Sequence, residues 1–224
     1  MIFEEVTHYN KISKKLILFK QYFLYEGKKY TIDEFFNNIN EIYKNLKIII
    51  AENEMFISQY KLEDNNVTVF LDNIMMNNEV NNENILTDYY YNKRKKILYL
   101  YSLNEGKYIN KIANDKTIVK VIPIQFYIRN ILKIALYRKS KVLVITKIHK
   151  NIYAIISEKG CITYSNILTN DKNVLNNEIL KFAKDIEIIL DKELEDFLVD
   201  DIKKSYKISI KSIGRNISEK IYKI

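Results

Sequence analysis

The chain has 224 residues, 47% hydrophobic and 29% charged, with a formal net charge of +8. That is the balance of a folded, water-soluble protein of one large domain or two small ones. Four Gly and one Pro exclude collagen-like segments, flexible linkers and Gly-rich phosphate loops, and the single cysteine, Cys161, excludes an internal disulfide framework or a cysteine-based zinc cage.

Residues 16–25, LILFKQYFLY, are β-prone, and Glu26-Gly27-Lys28-Lys29 reads as a turn. Thr31 is a natural N-cap with acids following it, and Ile32, Phe35, Phe36, Ile39, Ile42, Tyr43 and Leu46 recur on one helical face. Residues 47–51, KIIIA, predict a buried strand. Residues 55–62 and 67–74 predict two more, and the polar stretch NNEVNNEN at 77–84 predicts a loop. Three strands are expected at 95–103, 107–113 and 117–122, with turns at Asn104-Glu105-Gly106 and Asn114-Asp115-Lys116. Pro123 then opens a helix running to Tyr137. The second half predicts strands at 142–146, 152–157 and 161–167, a long helix over 173–190, a helical stretch over 192–199, a strand over 206–211 and a helix over 215–222. No apolar run approaches the roughly 20 residues a membrane helix needs. The N-terminus MIFEEVTHYN is acidic and mixed, unlike a secretory signal.

Three meandering strands and a crossover helix leading to a further strand form a ribonuclease-H-like order. Residues 95–137 look like a repeat of its opening. The fold class expected is therefore α/β with mixed sheets, in a two-lobed actin-like architecture built from ribonuclease-H-like units. Residues 1–138 would form the first lobe and 139–224 the second.

Actin-like ATPases hold phosphate on a tight turn between the first two strands of each lobe, where glycine and an acid are needed. The turn at 146–151 has neither, the turn at 104–107 is a common one, and Gly214 stands alone near the C-terminus. Nucleases need carboxylates on the first strand, and 142–146, VLVIT, has none. His8 and His149 sit in polar surroundings without ligand spacing, and Cys161 opens a strand with no His or acid at a motif spacing. No catalytic residue, metal site or cofactor is expected.

Charge is uneven. Residues 1–88 carry 9 basic and 14 acidic side chains, residues 89–150 carry 15 and 2, and residues 151–224 carry 12 of each. The middle segment begins with Lys93-Arg94-Lys95-Lys96, directly after Tyr89-Tyr90-Tyr91. Concentrated positive charge suits nucleic acid, anionic lipid or an acidic protein. An acidic run, Asp191, Glu193, Glu195, Asp196, Asp200 and Asp201, lies in the last quarter and reads first as a solvated helix face.

Two stretches, TIDEFFNNINEIYKNLKIIIAENEMFISQYKL at 31–62 and KVLVITKIHKNIYAIISEKGCITYSNIL at 141–168, resemble the cytoplasmic actin-like domain of type II secretion and type IV pilus assembly proteins, the GspL-like and PilM-like families. The resemblance implies a non-enzymatic scaffold that docks a cytoplasmic assembly ATPase to an inner-membrane platform. It also implies a place at the inner face of the bacterial inner membrane, reached through a partner or an anchor outside these residues. Physical candidates for partner contact are Lys93, Arg94, Lys95 and Lys96, with Glu193, Asp196 and Asp200 on the acidic side. The alternative is a nucleic-acid-binding module using the basic segment 89–150, without a small-molecule substrate in either case.

Overall fold

The computed structural model describes residues 14–38, 45–62, 66–77, 84–114, 118–132 and 141–222. The chain divides into two compact units, Met1–Pro123 and Ile124–Ile224. This division differs from the one expected at 138/139 in the helix that starts at 124. Its Arg129 guanidinium donates to the Gly160 carbonyl at 2.8 Å, so it packs within the second unit.

In the first unit, β1 (Lys14–Leu18) and β2 (Tyr22–Tyr25) form a hairpin through residues 19–21. Glu26 and Gly27 both have positive φ, 46° and 76°, and fold β3 (Lys28–Thr31) back onto β2. Two successive left-handed residues match the twist of a tight hairpin. The Thr31 side chain then accepts from Glu34 N–H while Glu34 reaches back to Thr31 N–H, a capping box that starts α1 (Ile32–Asn37). Ile39, Ile42 and Tyr43 of the expected helical face lie outside the described residues. Leu46 is not on a helix: it belongs to β4 (Asn45–Ile50), which pairs parallel to β1. The first sheet is completed by β8 (Ile118–Pro123), parallel to β4, in the order β3-β2-β1-β4-β8. Leu16, Leu18, Ile48 and Ile50 are buried along it, as are Phe23 and Phe35, whose rings stack at 4.3 Å.

Between β4 and β8 the chain makes β5 (Phe56–Lys61), α2 (Val67–Asn77), β6 (Ile85–Asn92), β7 (Ile97–Asn104) and α3 (Gly106–Asn114). The three strands form a separate antiparallel sheet, β5-β7-β6. Two expected strands are helices. Residues 67–74 are rich in β-formers, but Val67, Phe70, Leu71 and Ile74 fall at helical spacing and pack on Leu62, Leu98 and Leu100. At 107–113, burial of Ile109 and Ile112, three residues apart, also follows a helical face. Residues 85–92, for which the sequence predicts no element, form strand β6.

The second unit opens with α4 (Ile124–Ile131), so Pro123 ends a strand and does not begin the helix. A meander follows: β9 (Lys141–Ile148), β10 (Asn151–Glu158) and β11 (Cys161–Leu168). Asp171 caps α5 (Lys172–Phe182), its carboxylate accepting from the amides of Asn173 and Val174 at 2.8 and 3.0 Å. The helix expected through 190 stops at 182, and 187–191 forms β12 (Glu187–Asp191). A 3₁₀ turn (Lys192–Phe197), α6 (Asp200–Ser205), β13 (Ile208–Lys211) and α7 (Gly214–Tyr222) complete the unit. Its sheet order is β11-β10-β9-β12-β13, with β12 parallel to both β9 and β13. Leu143, Ile145, Ala154 and Ile156 on one face pack with Leu175, Ile179 and Leu194.

Both five-stranded sheets thus share one order: third, second and first strands of a meander, then two parallel additions. The repeat expected from the sequence is present as a shared strand order, but its first copy is built from β1, β2, β3, β4 and β8 and not from 95–137. The stretch 95–137 mixes a strand of the inserted sheet, a helix, the last strand of the first sheet and the first helix of the second unit.

On the α5 face of the second sheet, the Tyr164 hydroxyl donates to Glu178, a 2%-exposed carboxylate that also accepts from Asn166 Nδ2 at 3.3 Å and Lys181 Nζ at 2.7 Å. Burial, then the hydrogen bond to Glu178 and its charge, hold the Tyr164 pKa well above the usual tyrosine value of 10.0. Above about pH 10 the unfolded chain releases this proton while the folded one keeps it, so stability falls as pH rises. Tyr164→Phe is expected to lower stability by about 1–2 kcal/mol at neutral pH, through the lost bond to a carboxylate. It should also flatten the decline above about pH 10. Urea midpoints from neutral pH to about 11 check both effects, and an unchanged alkaline slope would remove Tyr164 as its source.

Candidate functional site

In open α/β sheets, ligands gather beyond the carboxyl ends of the parallel strands. In the second unit this is where β9 and β12 end, and Asp191, the last residue of β12, is fully buried there. Its Oδ2 accepts from Thr146 Oγ1 at 2.8 Å, Lys147 N–H at 3.2 Å and Gly214 N–H at 2.7 Å, and its Oδ1 accepts from Ile213 N–H at 3.3 Å. The carboxylate therefore ties β9, β12 and the start of α7 together. A helix N-terminus is a natural anion site, and here a side chain of the same chain fills it. Gly214 permits the approach. A Cβ at this position would lie 2.0 Å from the Lys147 carbonyl oxygen and 2.4 Å from Asp191 Oδ2. The solitary Gly214 thus has a packing role, and Asp191 is no part of a solvated helix face. The sequence signal was an acid closing the apolar run Ile188-Ile189-Leu190.

The β9–β10 connection at His149 and Lys150 is exposed, with His149 at φ 60°. In the first unit the equivalent β1–β2 turn is Phe19-Lys20-Gln21, not Asn104-Glu105-Gly106, which ends β7 and opens α3. Neither turn contains a glycine or an acid. Beyond the ends of β4 and β7 lies a small polar group. Asn53 Nδ2 donates to the Asn104 carbonyl at 3.4 Å, and the amides of Glu105 and Gly106 donate to the Asn84 carbonyl at 2.8 and 2.7 Å. Burial pushes the Glu105 carboxyl up, opposed by its hydrogen bond with Asn53 and by the charge of Lys20. Among the described residues no cluster of three or more His, Cys, Asp and Glu is arranged to hold a metal ion. No helix there is long and apolar enough to cross a membrane.

Lys93, Arg94, Lys95 and Lys96 form the exposed turn between β6 and β7 in the first unit, with Lys95 N–H donating to Asn92 Oδ1 at 3.1 Å. Glu193 and Asp196 lie exposed on the 3₁₀ turn, and Asp200 opens α6, all in the second unit. Beside them Lys203 binds Glu195 at 2.7 Å. That hydrogen bond, chiefly, raises the lysine's pKa, with the charges of Glu195, Asp200 and Asp196 adding to it. The basic segment 89–150 runs through elements of both units. Part of its charge is engaged internally, as with Lys111 over the Phe36 ring at 4.0 Å and Arg129 over Phe126 at 4.9 Å.

By sequence the chain matches no protein-family model and no curated protein. By structure it is similar to a Bacteroides thetaiotaomicron protein with an actin-like ATPase fold and unknown function, at TM-score 0.57 and 14% identity over 93% of this chain and 94% of that one. It is also similar to the PilM–PilN type IV pilus biogenesis complex, at TM-score 0.58 and 6% identity over 89% and 88%. The cytoplasmic domain of EpsL, an inner-membrane component of the Vibrio cholerae type II secretion system, aligns at TM-score 0.44 and 9% identity over 79% and 80%, too low to bear on the fold. The fold is actin-like, with mixed α/β sheets.

Proposed function

We propose that the chain is a non-enzymatic scaffold of a type IV pilus or type II secretion assembly machine, docking a cytoplasmic assembly ATPase to an inner-membrane platform. The observation that carries this reading is the match to the pilus biogenesis complex over nearly nine-tenths of both chains at TM-score 0.58. The filling of the α7 N-terminus by Asp191 supports the non-enzymatic part, since a phosphate there would have to displace a bound carboxylate. The scaffold would work at the inner face of the membrane through its partners.

Affinity capture of the tagged chain from detergent lysate, with and without nuclease, tests the proposal. Recovery of a pilus or secretion ATPase and its membrane partners, indifferent to nuclease, is the expected result. Mg-ATP at millimolar concentration is expected to leave the melting temperature unchanged, whereas a ligand at about 100 times its Kd would add about 2.7 kcal/mol. Recovery of nucleoid or ribosomal proteins that vanish with nuclease would overturn the scaffold reading. It would shift attention to Lys93–Lys96 as a nucleic-acid contact.

A further inference from the structure

A strand at the edge of a sheet exposes backbone N–H and C=O groups, and proteins blunt such edges with charge, proline, bulges or short length. Among the described residues the sheets end at β3, β8, β5, β6, β11 and β13. Two of these, β3 and β13, are four residues long and carry Lys28, Lys29 and Lys211. Strand β8 has Lys120 within it and Pro123 at its end, β6 has Asp88 within it, and β11 meets a bulge at Ile156/Ser157. Only β5 combines more than four residues with an unbroken register, no proline and no internal charge. Its six residues, Phe56 to Lys61, pair with β7 in unbroken register from Ser102 to Ile97, with no proline and no charge before its last residue. Phe56 nonetheless leaves 53% of its surface exposed.

The two ends of this edge differ in charge. At one end stands Phe56, in register with Ser102 and, across β7, Thr87, with exposed Glu54 just before it. At the other, Lys61 is exposed, and the next amide, Leu62 N–H, donates to the Lys96 carbonyl at 2.9 Å. That bond brings Lys61 beside the exposed turn of Lys93, Arg94, Lys95 and Lys96. Five cations therefore gather at one end of an otherwise uncharged edge.

We infer that the outer edge of β5 receives an extended segment of a protein partner as a fourth strand, with an apolar or aromatic residue against Phe56 and acidic residues against Lys61 and the Lys93–Lys96 turn. Strand addition explains the unblunted edge, with main-chain hydrogen bonds giving affinity and alternate side chains giving choice of partner. The cations supply orientation and steering. Nucleic acid would use the cations but not the two-residue repeat of backbone donors and acceptors. The inference rests on the scaffold reading only in taking the partner to be a protein.

Random displayed peptides of about nine residues, long enough to span the edge, are selected on the intact chain. The chosen sequence is then synthesised and its binding followed by fluorescence anisotropy. Selected peptides are expected to alternate apolar and polar residues and to carry Asp or Glu at one end. N-methylating alternate amides on the pairing side, which removes the strand bonds, is expected to weaken binding at least about tenfold. Lys61→Glu, at an exposed position, is expected to weaken it about tenfold, and lysines in place of the peptide's acids should restore it. The inference is overturned if selection yields no such pattern, if N-methylation or Lys61→Glu changes nothing, or if a short single-stranded oligonucleotide displaces the peptide. A concentration-dependent dimer that Phe56→Ser dissolves would also overturn it, because a second copy would then be the occupant. Failure here leaves the capture experiment standing, and failure of that experiment leaves the peptide result standing.

Discussion

Gly214→Ala is expected to lower the stability of the chain by about 3 kcal/mol or more, enough to move the urea midpoint down by roughly 1–2 M. On propensity alone the opposite result would follow. Replacing glycine by alanine in a helix removes freedom from the unfolded chain and commonly stabilises by about 0.4–1 kcal/mol. Here the added methyl would lie 2.0 Å from the Lys147 carbonyl oxygen and 2.4 Å from Asp191 Oδ2. The first of these is backbone near the carboxyl end of β9, the central strand of the sheet, so no side-chain rotation relieves it. Either α7 moves away from β9, breaking the Gly214–Asp191 hydrogen bond, or β9 shifts within its pairing with β10 and β12. Arg215→Ala, one residue further and exposed, makes the control, expected to stay within about 0.5 kcal/mol. A Gly214→Ala midpoint at or above that of the parent would show that α7 is not seated on β9 as described.

The meander of the second unit was legible because three apolar runs are separated by short polar turns, and turn chemistry of that kind is local. Strand β12 was not. Glu187–Asp191 follows α5 after only four residues, and Ile186 and Ile189 continue the apolar spacing of Val174, Leu175, Ile179 and Phe182. Periodicity therefore extended the helix through a strand, and only pairing with β9 on one side and β13 on the other decides otherwise. The reverse happened at 67–74, where Val and Phe suggested a strand but the four apolar residues at helical spacing bind one face of a small sheet. The reading of β12 as helix and of 107–113 as strand hid the architecture. Without β12 the second sheet lacks its fourth strand, and with a false strand at 107–113 the repeat appeared to begin at 95. The actin-like fold itself was legible through the surviving meander. The Asp191–Gly214 locus was not, because its members, 23 residues apart, meet only through the parallel return of β12 and β13. The turn Lys93–Lys96 was visible as charge alone. Its adjacency to Lys61 comes from the pairing of β5 with β7, which nothing local in the sequence announces.

Asp191→Ala is expected to be the most damaging single truncation in the second unit, costing on the order of 4 kcal/mol or more, since a buried donor left without its acceptor costs about 1–3 kcal/mol. Four donors lose their acceptor at once: the Thr146 hydroxyl and the amides of Lys147, Ile213 and Gly214. Asp191→Asn should cost less, about 1–2 kcal/mol. Its carbonyl oxygen can take the Oδ2 position, where three donors converge, leaving the amide group against Ile213 N–H, the longest of the four contacts at 3.3 Å. Thr146→Val should cost least, about 1 kcal/mol, because it removes one donor and leaves the backbone donors bonded. Equilibrium urea unfolding of the three variants gives the order directly. That order also separates two meanings of a buried acid at the end of a sheet. A carboxylate that pins β9, β12 and α7 must destabilise when neutralised, whereas a carboxylate kept for chemistry is commonly held against the interests of the fold. If Asp191→Asn raises the midpoint, the pin is refuted, and the strand ends of the second unit become a candidate catalytic or ligand site despite the filled helix terminus. If the order is Ala, Asn, Val from most to least damaging, the buried carboxylate at the strand ends of the second unit holds the fold together.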